Sequence, residues 1–130
     1  MEKNTISMYL VYWLNVCENE EAVNNFLKSL SLKDFIFEKV KCGDQCIKSP
    51  ILSLNTASLD EVTIEFLNLY CDKIKDLNLI ADKFDGKFVL NIVPKMYENQ
   101  TPQLTFYNKF LKFFQSIKNF YCIDIDQYFY

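Results

Sequence analysis

The segment ISMYLVYWLNVC, residues 6–17, determines the expected centre of the fold. It is rich in β-branched and aromatic residues, which favour extended backbone. Successive side chains of a strand point to opposite faces. One face would carry Met8, Leu10, Tyr12, Leu14 and Val16, and the other Tyr9, Val11 and Trp13. Because apolar residues occupy both faces, the pattern predicts a central strand of a sheet.

The same segment also has the outline of an apolar leader that ends at a lipid-modifiable residue, Cys17. A secretory leader needs a positive start and small residues before its cleavage point. Here Val16 precedes the cysteine, and bulky aromatic residues such as Trp13 occupy the apolar stretch. A buried strand is therefore favoured over a leader, and no other run is long and apolar enough to cross a bilayer.

The composition bounds the size and the chemistry of the protein. The chain has 130 residues, of which 50% are hydrophobic, so we expect a single domain over residues 1–130. All 14 positive charges are lysines, and histidine is absent. The commonest general base and the bidentate guanidinium clamp are thus missing, which excludes many familiar active sites. The bias towards Lys, Asn, Ile, Phe and Tyr indicates an AT-rich, bacterial genome.

Charge and cysteine content restrict the partners and the compartment. The net charge of -3 disfavours nonspecific binding to nucleic acid and to anionic membranes, since both depend on a positive field. A basic protein partner remains possible. The 5 cysteines are an odd number and a poor disulfide framework. They predict reduced thiols in a cytoplasm.

Three segments have the apolar spacing of helices. Residues 20–30 follow Glu18 and begin with Glu20 and Glu21, which suit the positive end of a helix dipole. Residues 58–76 start at Ser58 with an acidic residue three positions later, the pattern of a capping box. The third predicted helix covers residues 106–117.

The intervening segments predict strands. After the first strand these are residues 35–42, 51–54, 77–84, 87–97 and 120–129. Asp85 and Gly86 form a dipeptide that favours two-residue hairpin turns, so we expect a β-hairpin around them. The stretch KCGDQCIKSP, residues 41–50, predicts a turn.

The resulting order, β-α-β-β-α-β-β-α-β, predicts an α+β fold. We expect a mixed, largely antiparallel sheet with about three helices on one face. The first βαββαβ portion has the order of a ferredoxin-like fold. The remaining strands and helix would extend that sheet.

Asp124 and Asp126, in the final strand, are the first candidates for chemistry. On a strand they share a face with Cys122 and Tyr128, while Tyr121, Ile123 and Ile125 take the core side. Alternate Cα atoms lie about 7 Å apart, which is too far for a shared proton without further partners. A metal would need more oxygen ligands nearby. A solvated face is therefore favoured over a metal or acid-base pair, and we expect no cofactor.

The cysteine pair is the second candidate. Cys42 and Cys46 have C-x-x-x-C spacing, which is neither the redox C-x-x-C nor half of a zinc site. We expect free thiols in a loop. Cys17, Cys71 and Cys122 lie in or beside predicted elements and should behave as small hydrophobic residues.

The aromatic residues of the first strand suggest a binding surface. Tyr9 and Trp13 could form stacking platforms of the kind used by RNA-binding modules, but those modules surround their aromatics with basic residues. Here the neighbouring strand offers Asp124 and Asp126. An aromatic and acidic face is better explained as a protein-binding or dimer surface.

A resemblance supports this interpretation. The first strand, the middle helix and the stretches FVLNIV (88–93), LTFYNKFLKFF (104–114) and IDIDQY (123–128) resemble an uncharacterised bacterial domain-of-unknown-function family. That family is similar to small cytoplasmic immunity proteins encoded beside polymorphic toxins. The resemblance implies a protein that neutralises a toxin by binding it, and it carries over no catalytic residue.

We therefore expect a non-enzymatic protein-binding protein, plausibly an immunity protein whose partner is a basic toxin domain; a homodimer is also possible. The alternatives are a ligand-sensing ferredoxin-like regulatory domain and, less favoured, a metal-dependent enzyme that uses Asp124 and Asp126. The candidate contact residues for the protein partner are Tyr9, Trp13, Glu18, Glu20, Glu21, Asp124, Asp126 and Tyr128.

Overall fold

The computed structural model describes residues 3–98 and 100–130. This part of the chain forms seven strands and four helices. The strands are β1 (Thr5–Leu14), β2 (Ile36–Lys39), β3 (Gln45–Lys48), β4 (Leu52–Leu54), β5 (Gly86–Met96), β6 (Phe120–Ile125) and β7 (Tyr128–Phe129). The helices are α1 (Glu20–Lys28), α2 (Leu59–Tyr70), α3 (Ile74–Lys83) and α4 (Asn108–Gln115).

The strands form one sheet in the order β2-β3-β1-β5-β6. β4 pairs with β1 beyond the end of β3, and β7 pairs with β5 beyond the end of β6. β1 is antiparallel to β5 along its whole length, from Thr5 opposite Lys95 to Leu14 opposite Gly86. β1 therefore occupies the centre of the sheet, as its sequence predicts.

The helices pack against one face of the sheet. The core includes Ile6, Met8, Leu10 and Tyr12 from one side of β1, together with buried residues from every helix. Those helical residues include Val23, Leu27, Leu59, Val62, Phe66, Leu77, Ile80, Phe110, Phe113 and Phe114. No helix in the described part of the chain is long and apolar enough to cross a membrane.

The α+β prediction is confirmed, with four helices in the described residues where about three were expected. The portion β2-β3-β1-β5 is antiparallel throughout and has the expected ferredoxin-like order. β6 is parallel to β5 and follows it through α4. This last βα unit extends the sheet at the β5 edge.

The predicted hairpin around Asp85 and Gly86 is wrong. Residues 77–84, expected as a strand, belong mostly to α3, and the single helix expected over residues 58–76 ends at Tyr70. The apolar residues Leu77, Ile80 and Phe84 recur at helical spacing and pack into the core. Gly86 begins β5, opposite Leu14, instead of forming a turn. Glycine is needed there because a Cβ would lie 2.2 Å from the Trp13 carbonyl oxygen.

Two local predictions also need correction. Ser58 precedes α2 without capping it, since its hydroxyl donates to Gln103 Oε1 at 3.0 Å. The predicted turn over residues 41–50 contains β3. Only its first half is a turn, which closes where the Gly43 N–H donates to the Val40 carbonyl at 2.9 Å and Gly43 adopts a φ of 93°.

Candidate functional site

The sheet face that points away from the helices is called the open face below. It consists of alternate residues of adjoining strands. β1 contributes Ser7, Tyr9, Val11 and Trp13, β5 contributes Lys87, Val89, Asn91, Val93 and Lys95, and β6 contributes Cys122 and Asp124. On the other side of β1, β3 contributes Cys46 and Lys48, and β2 contributes Ile36 and Glu38.

A buried floor lies at the centre of this face. Val11 and Val89 are opposite each other across β1 and β5, and both are buried although neither belongs to the helix-side core. Cys46, opposite Trp13, is buried in the same way. These residues are buried on the side of the sheet that points away from the described helices. The open face therefore contains buried apolar residues beneath its exposed side chains.

The strand register brings four of the predicted contact residues together. Tyr9, Asn91 and Asp124 form one row across β1, β5 and β6. The Asp126 N–H donates to the Ile92 carbonyl at 2.9 Å, which keeps the chain beside β5 after β6 ends. The Tyr128 hydroxyl then donates to Asp126 Oδ2 at 3.0 Å. We call Tyr9, Asp124, Asp126 and Tyr128 the acidic-aromatic cluster.

The carboxylates of this cluster act on its two tyrosine hydroxyls. Burial raises the pKa of Tyr9, and the carboxylates of Asp124 and Asp126 raise it further. The hydrogen bond to Asp126, followed by the charge of Asp126, raises the pKa of Tyr128. Both phenols therefore stay protonated at neutral pH. The cluster offers two carboxylates as acceptors and two rings that carry hydroxyl groups.

Lysines are interleaved with these groups, which the sequence analysis missed. Lys48 Nζ lies 4.8 Å from the centre of the Tyr9 ring, and Lys87 Nζ lies 4.2 Å from the centre of the Tyr121 ring. Lys95 is exposed on the same face, opposite Tyr128. The alternation of KFVLNIVPK could have placed Lys87 and Lys95 on one face. The open face therefore carries charges of both signs.

Tyr121 is also placed differently from the prediction. It was expected to face the core with Ile123 and Ile125, but its side chain is 66% exposed. The pairing of β5 with β6 shifts register between Phe88 and Val89, and this irregularity leaves Tyr121 out of the alternation. Its ring consequently lies beside Lys87 at the margin of the open face.

Trp13 belongs to the open face but not to the acidic-aromatic cluster. It lies in the row of Cys46 and Lys87, near the end of β1, whereas Tyr9 lies four residues back along the strand. With Asp44 and Lys87 it borders a depression of about 460 Å³ that is open to solvent. Trp13 therefore provides a second, separate aromatic position on this face.

The three candidate glutamates lie on a different surface. Glu20 and Glu21 form the first turn of α1, in the helical layer, where Asn19 Oδ1 caps the helix by accepting from the Ala22 N–H at 3.0 Å. The Glu18 N–H donates to Gln45 Oε1 at 2.7 Å. The structure therefore does not join these glutamates with Asp124 and Asp126 into one acidic surface.

The cysteines are free thiols. Cys46, predicted in a loop, lies on β3 and is 2% exposed, and burial raises the pKa of its thiol to about 11. Cys17 and Cys71, predicted to behave as small hydrophobic residues, are exposed. Cys42 is exposed as predicted, and its thiol donates to Asp44 Oδ2 at 3.3 Å.

The open face presents carboxylates, lysines and tyrosine rings. Residues 3–98 and 100–130 contain no group of three or more His, Cys, Asp or Glu side chains placed to hold a metal ion. Comparisons with protein-family models, with curated proteins and with solved structures find no match for this chain. The function is therefore inferred from the geometry of the open face.

Proposed function

We propose that this chain is a non-catalytic protein-binding protein whose open face is the binding surface. More specifically, we propose that it is a bacterial immunity protein that binds and neutralises a cognate toxin in the cytoplasm. The observation that carries the proposal is the acidic-aromatic cluster on the sheet face that points away from the described helices.

The size of the open face fits a protein partner. The sheet is five strands wide at its broadest, and neighbouring strands lie about 4.8 Å apart. β1 has 10 residues, each rising about 3.3 Å. The strands have unequal lengths, so the face is about 24 Å wide and at most about 33 Å long, on the order of 600 Å². This is comparable with the roughly 800 Å² that each partner contributes to a standard interface.

The aromatic residues supply suitable anchors. Tyr9 and Trp13 are only partly exposed, so their conformations are largely set before a partner arrives. Aromatic rings of this kind carry much of the binding energy at protein interfaces. Tyr128 adds an exposed ring whose hydroxyl is held by Asp126. Truncation of these rings should mainly raise the dissociation rate.

The charge distribution favours a cationic contact at one end of the face. Lys48 and Lys87 lie over the rings of Tyr9 and Tyr121, whereas Asp124 and Asp126 are both exposed at the β6 margin. A partner that presents lysine or arginine to this margin would gain electrostatic complementarity. Such complementarity mainly increases the association rate and the salt dependence of binding.

The proposal is tested with proteins encoded by the genes adjacent to the one for this chain. Each is co-expressed with the chain, and any complex is measured by binding kinetics across a salt series. We expect Asp124→Lys with Asp126→Lys to slow association about tenfold at low salt without unfolding the protein. The matched control is Glu65→Lys with Asp72→Lys, which makes the same charge change at exposed positions of the helical layer.

Two results would contradict the proposal. If no neighbour-encoded protein binds, the immunity function fails. If a complex forms but both double variants slow association equally, the effect comes from net charge and the open face is not the contact surface. The oligomeric state of the isolated chain, from light scattering, shows whether a second copy occupies the face instead.

A further inference from the structure

The outer edge of β6 presents unpaired backbone groups. β6 ends the strand order, so in the described part of the chain no strand pairs with its outer side. The Asp126 N–H donates to the Ile92 carbonyl, which turns the backbone groups of Asp124 and Asp126 towards β5. Because these groups alternate in direction along a strand, the N–H and C=O of Ile123 and Ile125 point outwards.

An apolar groove runs along the helix side of this edge. It has a volume of about 380 Å³ and lies between α4 and β6. Its walls are mostly apolar and are formed by Leu111, Phe114, Gln115, Ile117, Phe120 and Ile123. Leu111 and Ile125 are 37% and 38% exposed, so apolar surface continues to the margin of the sheet. An added strand would cover this surface with every second side chain.

The other side of the same edge is acidic. Asp124 is on the open face of β6, and Asp126 follows on the same side. Ile123 lines the groove, and Ile125 is on the same side of the strand. An added strand would therefore meet carboxylates with one set of alternate side chains and apolar groups with the other.

A second copy of this chain gains no charge complementarity at this edge. If two β6 strands paired antiparallel about Ile123, Asp124 of each copy would face Cys122 of the other. If two β6 strands paired antiparallel about Asp124, the two Asp124 side chains would lie directly opposite each other. If they paired about Ile125, Asp124 of each copy would face Asp126 of the other. Like charges directly opposite across a strand pair are destabilising. Charge complementarity instead favours a strand with basic side chains.

We infer that the outer edge of β6 accepts an extended segment of a protein partner as an additional strand. Its alternate side chains are cationic over Asp124 and Asp126 and apolar over the groove beside α4. The outward N–H and C=O groups of Ile123 and Ile125 supply the backbone pairing. The inference shares two premises with the proposed function: the partner is a protein, and its basic groups meet Asp124 and Asp126.

The other edge of the sheet differs in ways that support this assignment. β2 has 4 residues, IFEK, and ends on a lysine, which is a common protection against strand addition. β6 has 6 residues, FYCIDI, with neither lysine nor proline. β6 is thus the longer and less protected of the two edges.

The probe for the test is a short acetylated and amidated peptide that alternates lysine and valine. Binding to the isotope-labelled chain is followed by amide chemical shifts and by hydrogen exchange. We expect the amides of Ile123 and Ile125 to become protected. A peptide of the same composition with its lysines and valines in two blocks, and one that alternates glutamate and valine, should bind at least about tenfold more weakly.

A proline variant tests the backbone contact directly. Ile125→Pro removes an N–H that points away from β5, and an edge strand tolerates proline at such a position. Ile125→Ala is the matched control, because it shortens the side chain but keeps the donor. We expect the proline variant to bind the alternating peptide about tenfold more weakly than the alanine variant does. If the proline variant does not fold, protection of the Ile123 and Ile125 amides by the alternating peptide in the wild-type chain tests the inference instead.

The inference is overturned if the alternating peptide does not bind, if the block peptide binds equally well, or if the Ile123 and Ile125 amides remain unprotected. Failure of the proposed function gives a different result. If the alternating peptide pairs with the β6 edge but no neighbour-encoded protein binds the chain, strand addition at the edge is supported and the proposed function is contradicted. If a toxin complex depends on Trp13 but is unaffected by Ile125→Pro, the proposed function is supported and strand addition at the β6 edge is contradicted.

Discussion

Tyr9 and Tyr12 lie three residues apart on β1 and face opposite sides of the sheet. Tyr12 is fully buried, and its hydroxyl donates to the Phe84 carbonyl at 2.6 Å and accepts from Asn119 Nδ2 at 3.1 Å. Tyr9 is partly exposed, with the Lys48 ammonium group over its ring and carboxylates nearby. β1 therefore supplies one tyrosine to the core and one to the open face.

The difference extends to the two faces as a whole. On the helix side, the Tyr12 hydroxyl has two hydrogen-bond partners within the chain, and aromatic rings contact one another around Phe66. On the open face, rings and charges remain accessible while a buried floor holds them in place. We therefore expect substitutions on the helix side to change the free energy of unfolding and substitutions on the open face to change binding.

The largest effect is expected for Phe66→Ala. Phe66 is 1% exposed and its ring lies near those of Tyr70, Phe110 and two further phenylalanines. Its truncation should lower the free energy of unfolding by about 3–5 kcal/mol, because apolar contacts are lost and a cavity remains. Denaturant titration measures the change.

The matched open-face variant for this comparison is Tyr121→Ala, at a position that is 66% exposed. We expect the free energy of unfolding to fall by no more than about 1 kcal/mol, mainly because the contact with Lys87 is lost. Equal losses for the two variants would mean that the open face contributes to stability as much as the core does, and would remove the distinction between the faces.

A smaller effect is expected for the two tyrosine hydroxyls. Tyr12→Phe leaves the Phe84 carbonyl without its buried donor, so the free energy of unfolding should fall by about 1–3 kcal/mol. Tyr9→Phe should change it by less than about 0.5 kcal/mol, because this face is accessible to water. The same denaturant titrations compare them, and a reversed order would contradict the assignment of the two faces.

Cys46 reports how well the floor of the open face is shielded. Thiol labelling of the native protein should modify exposed Cys17, Cys42 and Cys71 quickly and Cys46 only on unfolding, because burial keeps the Cys46 thiol protonated and inaccessible. Mass spectrometry of the labelled peptides measures the rates. Rapid native labelling of Cys46 would show that the floor is open.

The raised pKa of the Cys46 thiol also makes the free energy of unfolding depend on pH. Its folded pKa of about 11 exceeds its ordinary value of 9.0, so the unfolded state loses this proton first. Stability that is present below pH 9.0 should therefore decline as the pH rises towards 11. Cys46→Ala should show a shallower decline over this window, and an unchanged slope would contradict the burial of the thiol.

The smallest effect is expected from divalent cations. Because Asp124 and Asp126 are exposed and lie in no group of three potential ligands in the described residues, millimolar Mg²⁺, Mn²⁺ or Ca²⁺ should leave the Tm nearly unchanged. Thermal unfolding with and without each ion measures this. A saturable rise with one ion would make the carboxylates a metal site.

Alternation within β1 was enough to predict the central strand and its two faces. The same reasoning failed over residues 77–84, where Leu77, Ile80 and Phe84 fit a helix but the following Asp85 and Gly86 suggested a hairpin. What requires glycine at position 86 is the Trp13 carbonyl across the strand pair. That contact depends on which strands are neighbours, which local patterns do not contain.

The candidate site was predictable to a similar extent. Alternation placed Tyr9 and Trp13 on one face and Asp124 with Asp126 on another strand, but only the β1-β5-β6 register aligns Tyr9 with Asp124. The lysines that lie over Tyr9 and Tyr121 depend on the same register. The displacement of Tyr121 depends on a local irregularity in strand pairing, for which the sequence carries no clear signal.

The most direct test of the two-face account measures binding and stability on the same variants. Once a neighbour-encoded partner is identified, the dissociation rate and the free energy of unfolding are determined for Trp13→Ala and for Ile64→Ala, an exposed apolar position on α2. We predict that Trp13→Ala raises the dissociation rate at least about tenfold while the protein remains folded, and that Ile64→Ala leaves it unchanged. A tight complex whose dissociation rate is the same for the wild type and Trp13→Ala, but rises with Ile64→Ala, would place the binding surface on the helices and contradict the account.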